Sequence, residues 1–264
     1  MKIMGIVNVT PDSFSDGGEF LDPDRAITHG HRLVAAGADL LDIGGESTRP
    51  GARAVPAAEE LARVTPVVEG LAGTAPISID TAKAEVAEAA IAAGAEMVND
   101  VTALSGDPEM AALCAERGVE VVLMHMLGSP RTMQDDPRYG DVAAEVRDFL
   151  LGRVERATGA GIDPARIWID PGIGFGKSVE HNLELLRSTA IFAQTGLPVL
   201  VGPSRKAFIG KLDRGAPEGQ RLGGTVAACL AAMNGGAAMV RVHDVAPVAQ
   251  ALRVAEAIEP VPPR

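Results

Sequence analysis

The chain has 264 residues, 47% of them hydrophobic and 22% charged, with a formal net charge of −11 and only 3% aromatic residues. Such a balance supports one folded domain over residues 1–264 with an aliphatic, alanine-rich core, and excludes a disordered chain. The acidic excess excludes a broad nucleic-acid or anionic-membrane surface, since both need clustered Lys and Arg; any anionic ligand must be met by a few local basic residues.

Short apolar runs of strand length alternate with alanine-rich stretches of helix length, an order that predicts a parallel sheet. The first strand is expected over Ile3 to Val9, carrying Asn8 at its end, with a helix near 22–36 after it. Leu40 to Ile43 runs into Gly44, Gly45 and Glu46 and then a helix at 56–72. Ile77 to Ile79 ends on Asp80 before a helix at 82–93, and Met97 to Val98 leads into Asn99, Asp100 and a helix at 107–117. Val119 to Met124 meets His125 before a helix at 141–159, and Ile167 to Ile169 meets Asp170 before a helix at 178–194. Val199 to Val201 reaches Ser204, Arg205 and Lys206 before a helix at 221–235. Met239 to Val242 contains Arg241 and is followed by His243, Asp244 and a last helix at 245–258. Gly37, Gly94 and Gly118 fall where a glycine just past a helix end is favoured. Eight such units predict a closed (β/α)₈ (TIM) barrel, because an open doubly wound sheet more often stops sooner.

No apolar run approaches the ~20 residues of a membrane span, and the start MKIMGIVNVTPD carries no signal-peptide pattern, so the expectation is a cytoplasmic protein. Cys114 and Cys229 fall in alanine-rich helical stretches and are expected as buried free thiols.

In a barrel of this kind the active site is built at the C-terminal strand ends, and here those ends are polar throughout. A single Asp after a strand is more often a helix N-cap, the plainer role for Asp107, Asp163 and Asp244. A ring of carboxylates and amides around one mouth needs partners, and suggests a polar heterocycle as ligand, with Asp80, Asn99 and Asp170 as its contacts. Arg205, Lys206, Arg241 and His243 gather at the seventh and eighth strand ends, where barrels frequently bind phosphate. Ordinary salt bridges at the barrel rim are the competing role for these cations. The stretch DPGIGFGKS ends in Gly-Lys-Ser, but the first glycine of a P-loop would fall at Pro171, so that motif fails. The plainer role for Gly172, Gly174 and Gly176 is a compact loop over the mouth, and the five histidines show no metal-ligand spacing.

Longer segments carry a resemblance: MGIVNVTPDSFSDGG (4–18), DIGGESTRPGA (42–52), SIDT (78–81), VNDV (98–101), MHMLGSPRTMQDDPRYGDV (124–142), DPGIGFGK (170–177), GPSRKAFIG (202–210) and RVHDV (241–245). In combination and order the chain resembles the dihydropteroate synthase family along nearly its whole length. The resemblance implies a pterin ring held deep in the barrel by Asp80, Asn99, Asp170 and Lys206, and a pyrophosphate held by Asn8, Arg241 and His243. Asn8 would also contact a Mg²⁺ carried by that pyrophosphate. Phe14 and Asp16 on the first loop, and Thr48, Arg49 and Pro50 on the second, match loops that close over the site. With Phe175 and the chain around Lys206 they complete a p-aminobenzoate pocket. The implied reaction joins a dihydropterin methyl pyrophosphate to p-aminobenzoate, and the implied assembly is a homodimer. The position after Lys206 is Ala207, where many members of the family carry Ser, which bears on the p-aminobenzoate carboxylate. A non-catalytic pterin-binding relative, or a methyltetrahydrofolate-binding barrel serving a corrinoid partner, are the other readings; intact loops and the basic cluster stand against them.

Overall fold

A computed structural model describes residues 1–10, 22–49 and 51–258. Its strands are β1 (Lys2–Asn8), β2 (Leu40–Gly44), β3 (Ile77–Asp80), β4 (Met97–Asp100), β5 (Glu120–Met124), β6 (Ile167–Asp170), β7 (Leu200–Val201) and β8 (Met239–Val242). All pair in parallel in the order β6-β5-β4-β3-β2-β1-β8-β7. An isolated parallel bridge between Ile169 and Val199 joins the two ends, so the sheet closes into the expected barrel through its thinnest seam.

The helices are α1 (Pro23–Ala35), α2 (Ala57–Leu71), α3 (Ala84–Ala92), α4 (Met110–Arg117), α5 (Val142–Gly159), α6 (Val179–Arg187), α7 (Thr189–Ala193), α8 (Ala207–Leu212), α9 (Leu222–Asn234) and α10 (Val245–Ile258). Their starts follow capping chemistry: Asp22 accepts from Asp24 N–H ahead of Pro23, Asp141 accepts from Ala144 N–H, and Ser178 and His181 exchange bonds in a capping box. The single helix expected over 178–194 is two. It breaks at Ser188, where the Ser188 hydroxyl donates to Glu184 and the Thr189 hydroxyl donates to the Leu186 carbonyl, side chains competing for the turn before them. The short helix α8 in the long β7 to α9 connection is also additional to the expected elements.

Period-two alternation sorts each strand into two faces. Outward residues such as Ile3, Leu41, Ile43, Ile77, Ile79, Val121, Ile169 and Val240 join the large core between barrel and helices. Inward residues Met4, Leu40, Met97, Val122, Trp168, Leu200 and Met239 form a separate cluster that plugs the barrel. The next inward positions toward the C-terminal ends are Asp42, Ser78, Asp80, Asn99, Asp170 and Arg241. The apolar plug therefore gives way to a polar layer two residues further along most strands. Cys114 and Cys229 are buried free thiols, pushed up to about 12 by that burial. Among the described residues no helix is long and apolar enough to cross a membrane.

Candidate active site

Above the polar layer lies a cavity of about 540 Å³ at the C-terminal mouth. It is lined by Asn8 from β1, Thr48 and Arg49 after β2, Asp80 from β3, Phe175 and Lys177 after β6, Ser204 and Lys206 after β7, Arg241 from β8 and His243 just after it. That size suits a drug-sized heterocycle with its substituents. Asn99 and Asp170 lie beneath, 4% and 5% exposed, outside the lining set.

Arg241 organises the floor. Its Nε donates to Asp42 Oδ2 at 2.5 Å and its Nη2 to Asp80 Oδ2 at 2.7 Å, while Asn99 Nδ2 donates to the same Asp42 oxygen at 3.1 Å. Asp42 is fully buried and its Oδ1 has no partner among the described residues. Burial pushes the Asp80 carboxyl up, to about 7, against the pull of Arg241. Burial likewise raises Asp170 to about 6, although it accepts the Gly172 N–H at 2.7 Å and faces the charges of Lys206 and Lys177.

Lys206 stands over the Phe175 ring, its Nζ 3.9 Å from the centroid, a cation–π contact. Burial and the neighbouring Arg241 lower its ammonium to about 8. His243 is held neutral, near 3, by burial and by Arg241 and Arg205 beside it. The basic cluster expected from sequence thus divides. All four line the cavity, but Arg241, Lys206 and His243 do so with different charge states, while the Arg205 guanidinium is taken up by a bidentate pair with Asp244, at 2.9 and 2.6 Å. Of the aspartates given the plainer role, Asp163 caps the 3₁₀ turn at 164–166, and Asp107 accepts from Glu109 N–H and from Ala84 N–H at the start of the neighbouring α3. Asp244 is the one whose carboxylate is taken up by Arg205 instead.

The loop DPGIGFGK turns on Gly172, Gly174 and Gly176, all at positive φ. A Cβ on Gly172 would come within 1.9 Å of the His125 carbonyl oxygen, so the loop lies directly on the backbone after β5. Lys177, 3% exposed, staples it: Nζ lies 2.9 Å from His125 Nδ1 and donates to the carbonyls of His125 at 3.2 Å and Phe175 at 2.9 Å. Burial lowers Lys177 to about 7, and burial with Lys177 beside it lowers His125 to about 3. The stem of the second loop is held as firmly. Arg63 Nη1 donates to the Gly45 carbonyl at 2.6 Å, and Lys83 pairs with Glu46 and with the fully buried Glu60. Further out, Arg49 meets Glu218 across the mouth at 2.9 Å.

Of the residues expected at the site, Asn8, Thr48, Arg49, Asp80, Phe175, Lys206, Arg241 and His243 line one cavity, whereas Phe14, Asp16 and Pro50 lie outside the described residues. Asp42 and Lys177 were not singled out in the sequence. Strand parity counted back from Asp80 and Arg241 would have placed Asp42 inward. Nothing local distinguishes Lys177 from a surface loop lysine.

Comparison with known proteins agrees with this geometry. The family model described as pterin binding enzyme matches residues 4–243. The dihydropteroate synthase of Synechocystis is 49% identical over 259 residues, covering 97% of this chain and 89% of the relative. A Xanthomonas albilineans dihydropteroate synthase solved with 4-aminobenzoic acid superposes with a TM-score of 0.93 at 53% identity, covering 99% of this chain and 94% of that one. The same species' enzyme in complex with 7,8-dihydropteroate gives a TM-score of 0.89 at 49% identity over the same shares of the two chains. With its strand-end motifs gathered at one barrel mouth and these relatives matched over nearly their whole length, the chain belongs to the dihydropteroate synthase family of pterin binding enzymes.

Proposed function

We propose that the protein is a transferase that condenses 6-hydroxymethyl-7,8-dihydropterin pyrophosphate with p-aminobenzoate, releasing pyrophosphate and 7,8-dihydropteroate for folate biosynthesis. The observation that carries this reading is one cavity with carboxylates and an amide at its floor and the cations of Lys206 and Arg241 on one wall. Acceptors below suit the amino and ring N–H donors of a pterin, and donors beside them suit a pyrophosphate.

In this mechanism Asp170, Asn99 and Asp80 hold the pterin, with Lys206 over it. Arg241, His243 and Asn8 hold the pyrophosphate. The bond between the methylene carbon and the pyrophosphate oxygen breaks toward that donor set, the arylamine nitrogen forms the new bond to carbon, and the amine then loses a proton. The chain's part is to orient both reactants and to stabilise separating charge, with no protein nucleophile. The loops bearing Phe14, Asp16, Thr48, Arg49 and Pro50 exclude the water that would otherwise capture the carbon.

Among the described residues no three His, Cys, Asp or Glu side chains gather to hold a metal, whereas Asn8, whose side chain carries one amide oxygen, lines the cavity. That donor set fits a Mg²⁺ brought in by phosphate oxygens and water, with one protein ligand. Bound there, Mg²⁺ supplies charge neutralisation to the leaving group. Purified protein given both substrates and Mg²⁺ is expected to form dihydropteroate, and chelation to stop it. Methyl transfer to a corrinoid, or pterin binding with no product, would replace this reading.

The homodimer expected from the resemblance has a candidate surface in α9. Its sequence LGGTVAACLAAMN carries no charge. Leu222 is 38% exposed, and on the neighbouring α10 Val254 and Ile258 are 54% and 76% exposed. Exposed apolar side chains on these two helices are what a second copy would cover. Sedimentation at micromolar concentration is expected to give a dimer, and Ala227→Arg on the exposed side of α9 a monomer; a monomeric parent chain would remove the assembly from the proposal.

A further inference from the structure

We propose that Ser204 is a positioning residue that fixes the proton of the His243 ring on Nε2, so that the imidazole meets the leaving pyrophosphate as a hydrogen-bond donor. The inference rests on the reaction proposed above. Ser204 is 5% exposed and follows β7, while His243 follows β8 on the adjacent strand of the barrel. The His243 backbone N–H donates to Ser204 Oγ at 3.1 Å, and the same oxygen lies 3.0 Å from His243 Nδ1.

Two tautomers can satisfy that second contact. If Nδ1 carried the proton, Oγ would accept twice and its own hydrogen would have no protein acceptor among the described residues. If Oγ–H donates to Nδ1, every polar hydrogen in the group is used and the ring proton must sit on Nε2. With Nδ1 engaged by Ser204, Nε2 is the ring nitrogen available to a ligand in the cavity that His243 lines. An unprotonated Nε2 would instead turn a lone pair toward phosphate oxygens. The arrangement gives a neutral donor with a defined direction beside the permanent charge of Arg241, in the manner of an outer group that sets the tautomer of a working imidazole.

The test uses the full chain. Long-range ¹H–¹⁵N spectra of the ring nitrogens, with His243 assigned by its loss in His243→Gln, are expected to show a single Nε2–H tautomer in the parent protein. In Ser204→Ala they should show a mixture of tautomers, with turnover lower by at least about tenfold. Affinity for 6-hydroxymethyl-7,8-dihydropterin, which lacks the pyrophosphate, should be unchanged. Ser204→Thr keeps a hydroxyl and should restore both the tautomer and most of the turnover. Protonation of Nδ1 in the active parent, or loss of turnover in Ser204→Ala with the Nε2–H tautomer intact, would overturn the role given to Ser204. A parent protein that forms no dihydropteroate would overturn the underlying reaction instead, so the two failures are told apart.

Discussion

Arg241→Met is expected to lower turnover by about 10²–10³-fold and to cost the folded protein about 3–5 kcal/mol, because one guanidinium serves both the cavity and the floor beneath it. Its Nε and Nη2 bind Asp42 and Asp80, which are 0% and 8% exposed. Methionine fills the space but leaves two carboxylates close together in a buried layer with no cation between them, the case in which breaking a buried pair is most damaging. The pH dependence identifies the cause. Asp80 is already raised to about 7 with Arg241 pulling it down, so the variant raises it further. A carboxyl whose folded pKa exceeds its unfolded value stabilises the fold at low pH, and that contribution is lost as pH rises through the folded pKa. The deficit of Arg241→Met in chemical denaturation should therefore shrink as pH falls from 8 to 5, and Asp42→Asn added to it should recover part of the loss. A deficit of constant size across that range would mean that the arginine acts through packing alone.

Gly172→Ala is the second large effect. A Cβ at this position, with φ at +69°, would lie 1.9 Å from the His125 carbonyl oxygen and 3.0 Å from its carbon, both backbone atoms. A left-handed conformation alone costs an alanine roughly 1–2 kcal/mol, and forcing atoms into a filled space adds about 1–3 kcal/mol. Gly196 supplies the control, since its φ is +82° and nothing lies within 4 Å of its Cβ position. Gly196→Ala should lose only the conformational part, a fall in melting temperature of about 2–4 °C for each kcal/mol. Gly172→Ala should lose at least twice as much and lose turnover besides, because the displaced loop carries Phe175 under Lys206 and Lys177 against His125. Equal melting temperatures for the two variants would show that the loop can lift off the β5 end at no cost.

The sequence makes the barrel legible because the strands are short, apolar and regularly spaced, and each ends on polar residues that have no business in a plugged interior. Asp80, Lys206, Arg241 and His243 were identifiable by that rule, as each stands at or just past a strand end. Asp42 was not, because it sits inside the apolar run LLDIG, where only the inward parity set by the register with Ser78 and Ile6 brings it under Arg241. Arg205 and Arg241 both read from the sequence as strand-end cations; that the Arg205 guanidinium is taken up by Asp244 while Arg241 binds Asp42 and Asp80 shows only in the structure. The division of the helix at Ser188 was hidden because leucines and alanines continue the helical pattern on either side of it. Asp16, Phe14 and Pro50 rest on the resemblance, since their segments are rich in turn formers whose pattern fixes no position relative to the barrel.

The closure of the barrel at Ile169 and Val199 has a mechanical meaning. A ring of parallel strands is as stiff as its weakest joint, and here β7 meets β8 through two residue pairs, at Leu200 and Val201, while its joint to β6 is the single bridge at Val199. Elastic strain imposed on the mouth will gather at that joint, whose flanks lead upward to Asp170 on one side and Lys206 on the other. A ligand that touches both residues acts as a clasp across the gap. The proposed pterin subsite and the compliance of the whole barrel are then one property, and occupancy at the mouth should be felt as slower amide exchange along the seam, far from any hydrogen bond the ligand makes itself.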